Sequence, residues 1–115
     1  MIRSSKVTEL RQSPRFRADA DIVATMVTDT ELNPVLGICT DISQGGISAL
    51  LPVEFDPGSL VGLEFHIPGS DTIWLNAIVR HCEGSIGMEF VSLTEQQRKL
   101  IKRYCGFLPK LKRRA

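Results

Sequence analysis

The sequence predicts a mainly β fold of six short strands followed by a C-terminal helix. Between Ala18 and Val91, short segments in which apolar side chains alternate with a period of two are separated by turn residues. No segment of helical length lies between these strands, which argues against βαβ units. The apolar spacing changes to that of a helix only after Thr94. This pattern is typical of an antiparallel barrel or sandwich.

Each strand is assigned from its own alternation. The first begins near Ala18 and is rich in β-branched residues. The five later strands are predicted at residues 35–40, 47–51, 61–67, 73–80 and 86–91. Turns rich in Pro, Gly, Asp and Asn separate most of these segments. Within the fifth strand, we expect Trp74 to be a partly buried barrel residue.

The last element has the sequence signals of a capped helix. Thr94 and Gln97 have the spacing of a capping box, and Gly106 is placed to end the helix. Apolar residues recur on one face, whereas the other face is basic. The apolar positions are Leu100, Ile101, Tyr104, Cys105 and Leu108. We expect this face to cover one open end of the barrel.

Charge is segregated along the 115 residues, although the formal net charge is only +1. Residues 1–17 carry five bases and one carboxylate (+4), residues 18–94 carry one base and eleven carboxylates (−10), and residues 95–115 carry eight bases and one carboxylate (+7). We predict a flexible basic N-terminal arm at 1–17, one domain at 18–108 and a basic tail at 109–115. The basic ends favour an anionic partner.

Several functional classes are disfavoured by the sequence. The N-terminus lacks the apolar core of a signal peptide, and no apolar run is long enough to span a membrane, so we expect a cytoplasmic location. The three cysteines have no paired spacing and are expected to be reduced. Because His81 and Cys82 are adjacent on a strand, they should face opposite ways, and we expect no metal. No set of nucleophile and base is evident, so no enzyme activity is expected.

Two clusters carry groups suited to an anionic, hydrogen-bonding ligand. Arg11 and Arg15 lie in the arm, and an arginine fork matches phosphate oxygens or the edge of guanine. Asp41, Ser43 and Gly46 lie between two strands, where the carboxylate can accept N–H donors and the glycine admits close approach. Taken singly, each cluster has a plainer explanation: a solvated basic tail for the first and a self-bonded Asx-type turn for the second.

Together, the clusters resemble the PilZ domain family of bacterial cyclic di-GMP receptors. That family has an RxxxR motif before the first strand, matched by Arg11 and Arg15, and a D/N-x-S-x-x-G motif, matched by Asp41, Ser43 and Gly46. Arg15 and Asp41 are 26 residues apart, which is a usual separation for the family. The resemblance covers roughly residues 9 to 105 and also includes Ile86-Gly87-Met88-Glu89-Phe90.

The resemblance implies a fold, a ligand and a site. The fold would be a six-stranded split-barrel type with a C-terminal helix, and the arginines, Asp41, Ser43 and Gly46 would bind cyclic di-GMP without any other cofactor. Possible additional contacts are Arg17, Gly45 and Arg80. Arg80 is better explained as an ion-pair partner on a strand end.

The implied function is a non-enzymatic receptor or adaptor. Binding of cyclic di-GMP would change the conformation of the N-terminal arm and signal to a protein effector. Two alternatives stay open: a PilZ-like protein-interaction adaptor without significant nucleotide binding, and a small nucleic-acid-binding β-barrel. The acidic barrel and its few exposed aromatic residues count against nucleic acid as a partner.

Overall fold

The computed structural model describes residues 14–27, 33–67 and 72–111, which form six antiparallel strands and one helix. They are β1 (Phe16–Met26), β2 (Val35–Ile42), β3 (Gly46–Leu50), β4 (Leu60–His66), β5 (Thr72–Glu83), β6 (Ser85–Val91) and α1 (Glu95–Cys105). The strands close into a barrel in the order β1-β2-β3-β6-β5-β4. The predicted mainly β fold with a C-terminal helix is confirmed, and the architecture is a barrel rather than a sandwich.

The barrel interior is filled by one side chain in two from each strand, as the alternation predicts. In β5, for example, Ile73, Leu75, Ala77 and Val79 are all buried. Side chains from α1 join the same buried cluster, namely Ile101, Tyr104 and Cys105. Burial of such apolar side chains is the main favourable contribution to folding. The helix is therefore part of the domain core.

The start of α1 is fixed by the capping box that the sequence predicts. The hydroxyl of Thr94 accepts a hydrogen bond from the Gln97 backbone N–H, and the Gln97 side-chain oxygen accepts one from the Thr94 N–H, each at 3.0 Å. Gly106 caps the other end with ordinary right-handed dihedral angles, so it does not use glycine's left-handed freedom. In the described ranges, no helix is long and apolar enough to span a membrane.

Trp74 is not the partly buried residue that we expected from its type. It lies on the outer side of β5 and is 66% exposed, whereas its neighbours Ile73 and Leu75 are buried. The strand period decides this placement, because adjacent side chains must face opposite sides of the sheet. Only the Trp74 backbone carbonyl is engaged by the helix, through the Gln97 side-chain amide at 2.7 Å.

The first half of β1 pairs with the C-terminal segment of the chain. β4 pairs only with the second half of β1, from Ile22 onward. Alongside the first half, the Leu111 N–H donates to the Arg15 carbonyl and the Arg17 N–H donates to the Pro109 carbonyl, each at 2.9 Å. An unpaired strand edge exposes hydrogen-bonding groups that invite aggregation. Residues 109–111 therefore cover an edge that the barrel leaves open and fix the backbone on both sides of Phe16.

We expect deletion of residues 109–115 to lower the free energy of unfolding by about 1–3 kcal/mol, because two backbone hydrogen bonds at the edge of β1 are lost. Urea denaturation followed by circular dichroism measures this change. Deletion of residues 112–115 alone is the matched control, since it keeps the hydrogen bonds made by Pro109 and Leu111. Equal stability of the two truncated proteins would contradict a structural role for the pairing.

The three cysteines are free but differ in environment. Cys39 and Cys105 are 3% and 2% exposed, whereas Cys82 is half-buried. Burial raises the pKa of Cys39 to about 12, with a further contribution from the nearby charge of Asp41, and burial raises the pKa of Cys105 to about 11. Both buried thiols therefore stay protonated across the physiological pH range.

We expect a thiol reagent at pH 8 to modify Cys82 first and to reach Cys39 and Cys105 only after unfolding, because the thiolate is the reactive form. Mass spectrometry of the labelled native protein identifies the order. Since both folded-state pKa values exceed the ordinary 9.0, the thiols add no pH dependence below pH 9 and reduce stability as the pH rises above it. Rapid labelling of Cys39 in the native protein would refute this assignment.

Candidate functional site

A β-bulge in β2 places Asp41 on the outer face of the barrel. In the pairing of β2 with β3, Cys39 lies opposite Ala49 and Asp41 lies opposite Ser48. Thr40 is therefore an extra residue without a partner on β3. Cys39 and Ile42 are buried, while both residues between them point away from the core. Bulges re-aim side chains in this way and are frequent next to functional sites. In the same sequence without a bulge, Asp41 would share the buried side of Cys39 and Ile42 would face outward.

The structure brings Arg15 and Asp41 together on this outer face. The Arg15 Nε donates to Asp41 Oδ1 at 2.5 Å, and the Arg15 Nη2 donates to the Ser48 hydroxyl at 3.3 Å. The Thr40 hydroxyl has one proton to donate, and two acceptors are within reach: the Ser48 carbonyl at 3.2 Å and the second carboxylate oxygen, Asp41 Oδ2, at 3.4 Å. The side chains of Arg15 and Asp41 are 39% and 18% exposed, so solvent reaches both. Residues from two motifs 26 positions apart thus form one ion pair.

The cluster can contact a ligand without first being rebuilt. Arg15 presents five N–H donors, and the hydrogen bonds to Asp41 and Ser48 use two of them. A carboxylate has about four lone-pair positions, so Asp41 also keeps capacity for N–H donors of a ligand. The pair therefore suits a molecule that carries both acceptor oxygens and N–H donors. Among the described residues, no three His, Cys, Asp or Glu side chains are grouped to hold a metal ion.

Ser43 builds the turn between β2 and β3. Its hydroxyl accepts hydrogen bonds from the N–H groups of Gly45 and Gly46, each at 3.2 Å, and donates to the Gly46 carbonyl at 3.3 Å. The residue is 2% exposed, and these bonds use the full capacity of a hydroxyl group. The turn thereby fixes the backbone that follows Asp41. This geometry matches the self-bonded turn that is the plainer explanation of the motif at residues 41–46.

The two glycines of this turn have different surroundings. A Cβ atom on Gly46 would collide with the backbone carbonyl of Met88 on β6, so only glycine lets β3 approach β6 here. A Cβ atom on Gly45 would meet no other atom within 4 Å. The Gly45 carbonyl accepts the Phe90 N–H at 2.8 Å, which also ties the turn to β6. Gly46 is therefore required for strand packing, whatever its contact with a ligand.

We expect Gly46→Ala to destabilise the fold by about 1–3 kcal/mol, because the new methyl group must displace backbone rather than a flexible side chain. Gly45→Ala is the matched control and should change the stability by no more than about 0.5 kcal/mol. Chemical denaturation of both variants tests the difference. A stable Gly46→Ala protein would show that β3 and β6 can separate without cost.

The other predicted positions lie around this cluster or apart from it. Arg17 is exposed and lies opposite Asp41 across the β1–β2 pair. Arg80 forms an ion pair with Glu89, and Arg80 Nε and Glu89 Oε1 are 2.7 Å apart. An ion pair was the expected alternative to a ligand contact at this residue. Arg11 lies outside the described residues. The roles of all these residues in ligand binding stay predictions.

The sequence did not single out Thr40 and Ser48, although both contact the central pair. Alternation along β3 provides a signal for Ser48, since it is two residues beyond Gly46 and faces outward between buried Ile47 and Ala49. No comparable signal exists for Thr40. Its position depends on a bulge, and the register that produces a bulge involves the neighbouring strand.

Comparison with known proteins gives one match to a family model and several to solved structures. The model described as the PilZ domain matches residues 9–107, which is most of the chain. No curated protein matches by sequence.

The solved structures share the fold at low sequence identity. The Bacillus subtilis inhibitor of motility MotI/DgrA has a TM-score of 0.70 and 20% identity over 83% of this chain and 49% of its own. The chain thus spans about half the length of that protein. The PilZ domain of Escherichia coli YcgR, solved with c-di-GMP, has a TM-score of 0.69 and 18% identity over 85% and 90% of the two chains. A PilZ domain of CeSA from a cellulose-synthesizing bacterium has a TM-score of 0.64, at 18% identity over 80% and 94%.

Proposed function

The chain belongs to the PilZ domain family, and from this premise we propose that it is a non-enzymatic receptor or adaptor for cyclic di-GMP. The observation that carries the proposal is the Arg15–Asp41 pair on the outer face of the barrel. The proposed site comprises Arg11, Arg15, Asp41, Ser43 and Gly46. Two structural neighbours, the YcgR PilZ domain and MrkH of K. pneumonia, were solved with the same dinucleotide.

The chemistry of the ligand fits the two central side chains. A cyclic dinucleotide has phosphate oxygens and guanine O6 and N7, all of which accept the N–H groups of arginine. The Watson–Crick edge of guanine carries N–H donors, which a carboxylate can accept. Arg15 would therefore bind the acceptor groups, and Asp41 would bind the donor edge of a base. The Ser48 hydroxyl accepts a hydrogen bond from Arg15, and the Thr40 hydroxyl lies within hydrogen-bonding distance of Asp41.

Ser43 and Gly46 support the floor of the proposed site. The Ser43 hydroxyl stabilises the turn directly after Asp41, and Gly46 lets the next strand pack closely on β6. Loss of either would displace the Asp41 backbone. Their contribution to binding is thus proposed to include positioning. Arg17 and Gly45, both exposed beside the pair, are the candidates for additional contacts.

Attraction of the dinucleotide would depend on the basic N-terminal residues. The segment 18–94 has a charge of −10 and repels an anion, whereas residues 1–17 carry +4. Solvent ions screen such interactions, so affinity should fall as the salt concentration rises. On binding, the N-terminal arm would change its conformation and signal to a protein effector. The protein would be located in the cytoplasm, as expected from the sequence.

Titration calorimetry with cyclic di-GMP tests this function. We expect the unaltered chain to bind and Arg15→Ala to raise the dissociation constant by about 10–100-fold, because charge-assisted hydrogen bonds are lost. Arg15→Lys keeps the charge but not the fork and should have an intermediate affinity. Arg98→Ala removes the same charge from an exposed site on α1 and is the matched control.

Thermal melting of each variant verifies that it remains folded, since Arg15→Ala leaves Asp41 without its partner. If the unaltered chain shows no binding, the receptor function is wrong and the family adaptor without nucleotide binding replaces it. Tighter binding of a single-stranded oligonucleotide than of the dinucleotide would instead favour the nucleic-acid alternative.

A further inference from the structure

A row of outward-facing positions continues from the Arg15–Asp41 pair across the barrel to His81. Strand register places Asp41 opposite Ser48, Ser48 opposite Gly87, and Gly87 opposite His81. His81 is on β5, which is two strands beyond the β3 strand of Ser48. Neighbouring strands are about 4.8 Å apart. Ser48 already contacts Arg15. The row therefore links the proposed site to a histidine that family motifs do not include.

A second bulge turns His81 to the outer face. In the pairing of β5 with β6, Val79 lies opposite Met88 and His81 lies opposite Gly87. Arg80 is therefore an extra residue in β5. Val79 is buried and Cys82 packs against the core, while Arg80 and His81 between them are both exposed. The arrangement repeats that of Thr40 and Asp41 in β2. Each bulge thus leaves two adjacent polar side chains on the outer face, and one of the two, Asp41 or His81, belongs to the row.

Gly87 leaves space for the imidazole ring to lie back over β6. A Cβ atom at position 87 would overlap the His81 ring, and its three nearest atoms would be His81 Nε2, Cε1 and Cδ2. The end of the ring that carries Nε2 is therefore over Gly87, on the strand adjacent to Ser48. Glycine at this position makes that ring placement possible.

We propose that the ligand site extends across β3 and β6 to His81, and that the His81 imidazole contacts the bound cyclic dinucleotide. The inference rests on the proposed function. A cyclic dinucleotide carries two purine bases and two phosphates, more groups than Arg15 and Asp41 can bind alone. The imidazole supplies a flat face for stacking on a base and a ring N–H for a phosphate oxygen. Gly87 is a positioning residue in this site.

The deciding experiment is calorimetric titration of His81→Ala with cyclic di-GMP. We expect the dissociation constant to rise about tenfold, which corresponds to about 1.4 kcal/mol. His66→Ala is the matched control, because His66 is also exposed but lies at the end of β4, opposite Thr72. Its affinity should equal that of the unaltered chain. His81→Phe identifies the contact, since phenylalanine retains a ring for stacking and has no N–H group.

Gly87→Ala tests the placement of the ring without removing it. The added methyl group must push aside the flexible end of a side chain, so we expect a folded protein with affinity reduced about as much as by His81→Ala. In a His81→Ala background, Gly87→Ala should have no further effect on affinity. Additive losses in the double variant would show that Gly87 does not act through His81 and would overturn the proposed ring placement.

The outcomes separate this inference from the receptor function. If the unaltered chain binds, Arg15→Ala loses affinity and His81→Ala retains it, the site does not reach His81 while the receptor function stands. If the unaltered chain does not bind cyclic di-GMP, the receptor function fails and the extension fails with it. Loss of affinity in both His81→Ala and His66→Ala would indicate an effect that is not specific to His81 and would also reject the extension.

Discussion

The strict alternation of side chains in a closed barrel is the constraint on which the outer face depends. In a regular strand, every second residue must fill the core, so two consecutive residues cannot both face a ligand. The chain overcomes this limit with one extra residue in β2 and one in β5, at Thr40 and Arg80. After each bulge the core pattern resumes, with Ile42 buried and Cys82 packed on the core. Outward-facing polar groups are gained without loss of the hydrophobic interior.

The position of Arg15 also depends on the end of the chain. The last residues of α1 are buried in the core, and the turn after it is held by hydrogen bonds from Phe107 and Leu108 to carbonyls of the helix. Residues 109–111 then pair with the backbone on both sides of Phe16. Docking of the helix thus determines where the first strand begins. A partner that moved the helix would also move the arginine of the proposed site.

The sequence predicted the elements well because each strand and the helix has a local periodic pattern. The residues of the proposed site were also named from the sequence, since both motifs can be recognised in the chain itself, and their roles in binding stay predictions. The sequence could not predict that Ser43 uses its hydroxyl inside its own turn, or that His81 lies over Gly87, because these facts depend on a neighbouring strand. The exposure of Trp74 differs from the expectation because the strand period, and not the residue type, decides which side of the sheet it faces. Pairing of residues 109–111 with β1 has no local signal at all.

In the proposed site, the Arg15–Asp41 pair would affect ligand selectivity. A simple anion such as inorganic phosphate could bind the free donors of the arginine, but it would place a second negative charge beside the carboxylate and offer it no N–H donor. A guanine nucleotide can bind both groups, because its phosphate and base acceptors can use the remaining N–H donors of Arg15 while its own N–H donors bind the carboxylate. Discrimination therefore includes repulsion of the wrong ligand as well as attraction of the right one. An acidic barrel and a self-paired arginine together favour a ligand that brings its own donors.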